Sequence, residues 1–259
     1  MSQSRSTQGP ARRSAQRGRQ APARLPARRA GTPALAGEVF EAFLENVPPE
    51  LQAPDPATPS GRILEAARKL FAQKGFAASG TRAIAAEAQV NQAMLNYYFG
   101  SKERLYTAVI AAEFQAMIRS IAGRVDAALP AEEIIVELPI GILRELEDDP
   151  VRGSLLRQEI GSGAQHLKRA IEELGTAGPP GMRRLVRPLI EEAQAKGRLP
   201  KVPPDALLQF LLSVAYGALF LNPLFAVITG TDPDRPSART RRRQAFERLL
   251  RRLLLEEAS

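Results

Sequence analysis

The chain has 259 residues, no cysteine and one histidine, and its formal net charge at pH 7 is +8. This length can bury a sizeable core, while the lack of cysteine excludes disulfides, thiolate metal sites and cysteine nucleophiles. The single histidine, His166, excludes a multi-histidine metal site, and no motif places a nucleophile beside it. We therefore predict no catalytic residue, no metal and no cofactor, in a protein whose composition is consistent with a reducing, cytoplasmic compartment.

Positive charge is concentrated towards the N-terminus. Residues 1–37 contain eight arginines and no acidic residue, so that this segment alone carries +8 and the rest of the chain sums to about zero. Residues 61–106 contain seven basic and three acidic side chains, a balance of +4. A basic N-terminal part on a mildly acidic remainder suits a polyanionic partner.

Residues 1–57 are predicted to form a disordered Arg-rich tail and a Pro-rich linker. The first 37 residues have few large apolar side chains to offset the entropy of ordering, and they lack the apolar run of a secretory signal. Their acid-poor composition leaves an organelle transit peptide as an alternative. A short amphipathic stretch at 39–44 can form a brief helix before the prolines at 48–59 interrupt it.

From Ser60 the pattern becomes helical. Apolar residues recur on one helical face: Ile63, Leu64, Ala67, Leu70 and Phe71. Ser60 is the predicted N-cap and Gly75 the predicted stop, so that Phe76 should meet Phe71 in a Schellman ending.

Two short helices and a long one follow. The short helices are predicted at about 81–88, with Thr81 as N-cap, and at about 91–98, with a turn at Gln89 between them. The long helix is predicted at about 101–122. Two short helices joined by a tight turn behind a supporting helix form a helix-turn-helix, whose second helix fits the major groove, roughly 12 Å wide.

The remainder of the chain also has helical patterns, separated by Pro and Gly. Further helices are predicted at about 131–148, 151–160, 163–175, 180–197, 204–229 and 237–257. No stretch shows the alternation of a strand, so the predicted fold class is all-α.

The stretch TRAIAAEAQVNQAMLNYYFGSKERLY at 81–106 carries the most specific signal. It combines a Thr at the start of the second helix, an Ile-Ala pair, an aromatic-rich third helix ending in Phe, and a Ser-Lys-Glu opening of the fourth. The residues are Thr81, Ile84, Ala85, Tyr97, Tyr98, Phe99, Ser101, Lys102 and Glu103. On this pattern, residues 61–106 resemble the N-terminal domain of TetR/AcrR-type transcriptional regulators.

The resemblance implies a two-domain organisation and a function. It implies an N-terminal helix-turn-helix, three-helix DNA-binding domain at 58–106 and a C-terminal helical effector-binding and dimerisation domain at 107–259. The expected protein is a sequence-specific DNA-binding transcriptional regulator, a repressor that a small-molecule effector releases from its operator. The effector is unknown and would bind between about 105 and 200.

Ten residues are predicted to contact DNA: Thr81, Arg82, Asn91, Gln92, Ala93, Met94, Asn96, Tyr97, Tyr98 and Lys102. Gln92 is the predicted base reader, because its amide can pair with adenine for about 1–3 kcal/mol of discrimination. Thr81, with Arg82 beside it, and Lys102 are expected at phosphates, although Thr81 can instead cap its helix. Asn91 is either an N-cap or a base contact.

The other predicted contacts follow from side-chain chemistry. Ala93 and Met94 can meet thymine methyl groups, while Asn96 and the two tyrosines can donate to phosphates or base edges. The chain departs from the family pattern at two positions. Gln89 stands where the family commonly has Gly, so that either a positive φ there costs about 1 kcal/mol or the turn differs slightly. Asn96 stands where the family commonly has Tyr.

Residues 206–231 contain no charged side chain. This uncharged stretch is long enough to span a membrane. The preferred interpretation is a helix packed inward on one side and against a second copy on the other, with no membrane. A homodimer through helices about 204–229 and 237–257 would bind a near-palindromic double-stranded operator.

Other classes of protein stay open. They are a helical enzyme or lipid-binding protein with an incidental helix-turn-helix corner, and a membrane-anchored regulator. Arg157, Gln158, Glu159 and His166 are polar residues near apolar helix faces, and we interpret them as structural rather than as effector contacts. The Arg-rich tail can add nonspecific DNA affinity through counterion release.

Overall fold

A computed structural model describes residues 53–126, 129–177 and 181–256 of the chain. The predicted tail, the brief helix at 39–44 and most of the Pro-rich linker lie outside the described residues.

The described ranges contain α-helices, turns and no strand, which confirms the all-α prediction. The helices are α1 (Pro59–Ala78), α2 (Thr81–Glu87), α3 (Gln92–Phe99), α4 (Lys102–Ala122), α5 (Ala131–Asp148), α6 (Pro150–Gly161), α7 (Gln165–Ala177), α8 (Gly181–Ala195), α9 (Pro204–Phe220), α10 (Asn222–Thr229) and α11 (Pro236–Arg251), followed by a π-helical turn (Arg252–Glu256). We call α1–α3 the head and α5–α11 the body, and α4 joins them.

The two ends of α1 differ in how well they were predicted. The N-cap is Thr58 rather than Ser60, because Thr58 Oγ1 accepts a hydrogen bond of 3.1 Å from the Gly61 N–H and Pro59 is well suited to the first helical position. At the other end Gly75 interrupts the helical path, but its φ of 80° and ψ of 167° are not the left-handed helical conformation of the predicted Schellman ending, and α1 continues to Ala78. The predicted contact between the Phe71 and Phe76 rings is confirmed, with centroids 6.0 Å apart.

The predicted continuous helix at 204–229 is wrong. It is broken into α9 and α10, which meet at an angle of 63°. Pro223 explains the break, because proline has no N–H to donate and its ring clashes with the carbonyl four residues earlier. Within the part of the chain that the structure describes, no single helix could cross a membrane, and the bent α9–α10 pair meets that test by length and composition only.

Two hydrophobic cores lie along the molecule. The first fills the head and is joined by Leu105, Val109 and Ile110 of α4 and by Leu155 of α6. The second fills the body and includes the C-terminal half of α4. Because α4 runs across the predicted boundary at 106/107 and contributes to both cores, the head is built directly onto the body. The domain limits themselves stay a prediction.

Candidate nucleic-acid interface

The turn between α2 and α3 is formed by backbone hydrogen bonds and one left-handed residue. The Ala88 N–H donates to the Ile84 carbonyl at 2.9 Å, and the Val90 N–H donates to the Ala85 carbonyl at 3.0 Å. Gln89 has φ 54°, so of the two alternatives for this position the structure contains the positive φ, on a residue that is not glycine. Ile84 and Ala85 are buried and hold α2 against α1.

Helix α3 is anchored on one side and presented on the other. Leu95 is 0% exposed in the head core, whereas Tyr97 is 83% exposed. Asn91 is the N-cap, because its side-chain oxygen accepts a hydrogen bond of 2.9 Å from the Ala93 N–H. Of the two roles expected for Asn91, capping is therefore the one that the structure contains.

The exposed residues of α3 follow from this anchoring. Ala93, Asn96 and Tyr98 are also exposed, while Met94 is half-buried and packs against the head core. The Tyr97 and Tyr98 rings meet edge to face with centroids 5.1 Å apart. This side of the helix is thus a polar and aromatic surface open to solvent.

Thr81 and Gln92 are brought together across the turn. The Gln92 Nε2 donates a hydrogen bond of 3.1 Å to Thr81 Oγ1. The prediction that Thr81 caps α2 is wrong: Gly80 occupies the N-cap, no side-chain cap bond forms there, and Thr81 is the first residue inside the helix. The bond to Thr81 uses one of the two amide hydrogens, so the amide can still pair with adenine through its second hydrogen and its oxygen.

The predicted phosphate contacts lie at the start of two helices. Lys102 Nζ donates to the Ala77 carbonyl at 3.2 Å and lies 4.5 Å from the centroid of the Phe76 ring. Arg82 is exposed in the first turn of α2. A cation held by the head and a second one at a helix N-terminus are suited to binding anions.

Two residues that support this surface were not found from the sequence. Arg62 donates to the Ala57 carbonyl at 3.1 Å and to the Ala88 carbonyl at 3.4 Å, which ties the start of α1 to the turn. Ser79 Oγ donates to the Gly75 carbonyl at 2.8 Å. Neither an arginine in an amphipathic helix nor a serine just after one carries a sequence signature of such a role.

His166 and Glu159 belong to the support of the head. The buried Glu159 carboxylate accepts hydrogen bonds from the backbone N–H groups of His166 and Leu167, at 2.7 and 3.0 Å. The His166 ring lies edge to face on Tyr106, with centroids 4.7 Å apart. Burial, with the nearby Glu159 carboxylate, raises the pKa of Tyr106, so the phenol stays protonated. These contacts agree with a structural role. No metal-binding cluster of His, Asp or Glu occurs among the described residues.

The fold and this surface define a class: all-α proteins in which a helix-turn-helix is mounted on a helical body. Residues 63–109 match the family model described as "Bacterial regulatory proteins, tetR family". This segment, which contains the helix-turn-helix, is therefore similar to the corresponding part of tetR-family regulatory proteins.

Relatives with known sequences match over part of their length. The HTH-type transcriptional repressor NicS of Pseudomonas putida is 32% identical over 136 residues, which are 52% of this chain and 63% of NicS. The uncharacterized HTH-type transcriptional regulator Rv1255c of Mycobacterium tuberculosis is 38% identical over 90 residues, or 34% of this chain and 44% of Rv1255c. The chain thus spans less than two thirds of each of these relatives.

Solved structures share the fold over most of the chain. A Shewanella sp. PV-4 protein assigned to the tetR family of transcription regulators superposes with a TM-score of 0.58 at 22% identity, covering 76% of this chain and 98% of the other. SCO4942 from Streptomyces coelicolor, a candidate transcriptional regulator, gives 0.57 at 23% identity, with 76% and 98% covered. At this level of identity the likeness concerns the fold alone.

Proposed function

We propose that this protein is a cytoplasmic, sequence-specific DNA-binding repressor that acts as a homodimer and is released from its operator by a small molecule. The observation that carries the proposal is the presentation of α3. Its Leu95 is fully buried in the head, and its Ala93, Asn96 and Tyr97 are exposed on the outward edge of the helix. A short helix held this way can enter a major groove.

The side chains on this edge divide into two chemical groups. Gln92 and Asn96 have amides, which can read base edges through paired hydrogen bonds. Lys102 and Arg82 are cations beside the same edge, and they can bind phosphates of any sequence. Tyr97 and Tyr98 can donate to either. We infer that the cations supply affinity for DNA of any sequence and that the amides supply the preference for particular bases.

Exposed apolar residues of the body support a homodimer. Eight of the eleven large hydrophobic side chains that are exposed in the described part lie on or beside α9–α11: Phe210, Leu221, Leu224, Phe225, Val227, Ile228, Leu249 and Leu253. Five of them line a groove of about 620 Å³ whose lining is mainly apolar: Phe210, Leu221, Phe225, Leu249 and Leu253. A contiguous apolar patch of this kind favours association with another protein surface. A twofold dimer would present two copies of α3 to a near-palindromic site.

Repression and effector release rest on the family relationship. The relative NicS is named a transcriptional repressor. For a small molecule to release DNA, it must bind the DNA-free arrangement of the heads more tightly than the DNA-bound one. We place that molecule in the body, between α4 and α8, because a shift of these helices would move the head that α4 carries.

Selection from a random pool of duplex DNA, with the full chain, tests the proposal. The expected result is enrichment of one near-palindromic sequence whose half-sites lie about one helical turn or a multiple of it apart. Sequences recovered without any common motif after repeated rounds, at a salt concentration where nonspecific binding is weak, would contradict it.

A further inference from the structure

A chain of buried charges links the head to the body. Arg68 of α1 donates from Nε to Glu113 Oε1 of α4 at 2.6 Å, and from a terminal nitrogen to Asp149 Oδ2 at 2.5 Å. The second oxygen of Glu113 accepts from Arg152 Nε of α6 at 3.1 Å. Arg152 in turn donates to Glu145 Oε2 of α5 at 2.7 Å. Glu113 therefore bonds to the head through one oxygen and to the body through the other, and Asp149 provides a second carboxylate for Arg68.

These groups are largely withdrawn from solvent. The side chains of Glu113 and Glu145 are 8% and 5% exposed, and that of Arg152 is 12% exposed. Buried ion pairs need good geometry and further hydrogen bonds to offset their desolvation, and loss of one partner leaves a buried charge without compensation. Such a network tolerates few alternative arrangements, so it restricts the angle at which its helices can pack.

Neutral contacts continue the same junction along α1 and α6. The Ala72 carbonyl accepts from Ser154 Oγ at 2.9 Å and from Gln158 Nε2 at 3.0 Å. Arg68 and Ala72 are one helical turn apart on α1, so both meet α6 along one stripe. The Leu155 side chain of α6 is 0% exposed and packs in the head core. The head thus packs along helix α6. The charged contacts of Arg68 and Arg152 lie at the N-terminal end of this helix.

We propose that Glu113, together with Arg68 and Arg152, is a positioning residue that fixes the angle of the head and thereby selects the spacing between the two DNA half-sites. The proposal rests on the proposed DNA-binding function for its second part only. Its first part, the fixing of the head, concerns the protein by itself.

The test compares two matched variants, Glu113→Gln and Glu145→Gln. Both remove the charge of a buried carboxylate in the same network, but only Glu113 contacts the head. Spin labels on Ala83→Cys in α2 and Ala195→Cys in α8 report the head-to-body distance without DNA, because the chain has no other cysteine. Dilution with unlabelled protein restricts the measurement to pairs within one chain.

We expect a broader distance distribution for Glu113→Gln and an unchanged one for Glu145→Gln. With DNA, the unlabelled Glu113→Gln protein should lose about fivefold or more of its preference for the best half-site spacing over one changed by two base pairs. If Glu113→Gln does not fold, Arg68→Gln removes the contact with Glu113, together with that to Asp149, from a side chain that is 19% exposed.

The outcomes separate the two proposals. Equal distance distributions for Glu113→Gln and the unsubstituted chain would overturn the positioning role. A broader distribution with unchanged spacing preference would overturn the selection of spacing. An unsubstituted chain that prefers no DNA sequence contradicts the proposed function, whereas the label distances still decide whether Glu113 fixes the head.

Discussion

Lys102 illustrates how single residues prepare this surface. Its ammonium group is held by the Ala77 carbonyl and lies over the Phe76 ring, so little rotational freedom is left to lose when it binds an anion. Gln92 is held in a similar way by Thr81. In the proposed DNA interface both residues would therefore be positioned before DNA binds, one as a charge and the other as an amide.

We predict that Lys102→Ala weakens binding to specific and random duplexes alike. A lysine that neutralises one phosphate contributes about one unit to the slope of log affinity against log salt concentration, so this slope should fall by about 1. Lys168→Ala, an exposed lysine on α7, is the control and should leave it unchanged. DNA-binding titrations at several salt concentrations measure the slope for both variants. A loss of affinity confined to one DNA sequence would argue against a phosphate contact.

The sequence predicted a side chain's role where residue type and spacing determine that role. It did not do so where two neighbouring residues suit the same role. The sequence identified Leu95 as inward-facing, but it left open whether Gln89 has a positive φ or the turn differs from that of the family. It misplaced two N-caps, because Ser60 and Thr58, and likewise Thr81 and Gly80, all suit the position. The choice depends on backbone geometry that a pattern of residue types does not contain.

At the scale of elements, Gly75 ends the regular part of α1 and lets Phe76 fold back onto Phe71 and Tyr106. Its φ of 80° and ψ of 167° lie in a region that is essentially reserved for glycine. A side chain here would also approach Gln158 Oε1 to 3.3 Å. The residue therefore connects the shape of α1 to the packing of α6.

We predict that Gly75→Ala destabilises the protein by about 1–3 kcal/mol, because the backbone must leave this region or remain strained. Gly161→Ala is the control, since its new methyl group would meet no atom within 4 Å. That variant should be neutral or more stable by up to about 1 kcal/mol. Urea denaturation of both variants measures the difference, and equal stabilities would contradict the conformation assigned to Gly75.

The sequence predicted that the elements are helices, but it did not predict the break between α9 and α10. Hydrophobic periodicity at 3.6 residues identified each helix of the head within a few residues. The stretch at 204–229 has no charge and is apolar nearly all round, so periodicity gave no sign of where it bends. Pro223 marks the place, but a proline is compatible with a kinked single helix as well as with two helices.

At the scale of the whole molecule, local sequence patterns could not predict that the head packs on α6. The contact between Arg68 and Glu113 joins residues 45 positions apart, and that between Arg68 and Asp149 joins residues 81 apart. Arginines and carboxylates are common on helix surfaces, so no pattern singles out these pairs. The position of the apolar surface on α9–α11 was predicted, because a long uncharged stretch is expected to pack against another apolar surface.

We predict that Val227→Glu dissociates the dimer. Val227 is 82% exposed on α10 within the proposed interface, and a carboxylate buried there without a partner should weaken association at least about 30-fold, or ~2 kcal/mol. Val202→Glu is the matched control, because Val202 is also an exposed valine but lies outside the patch. Sedimentation equilibrium measures the dimer dissociation constant of each variant. Dimers of equal strength would show that the partner docks elsewhere or not at all.

The outward edge of α3 as the reader of DNA sequence is tested most directly by repeating the random-pool selection with Gln92→Ala beside the unsubstituted chain. Gln244→Ala, an exposed glutamine on α11, is the control and should select the unsubstituted motif. The Gln92→Ala motif should lose its preference at one position in each half-site, worth about 1–3 kcal/mol, and keep the rest. An unaltered motif, or an equal loss of affinity for selected and random DNA, would contradict base reading by α3.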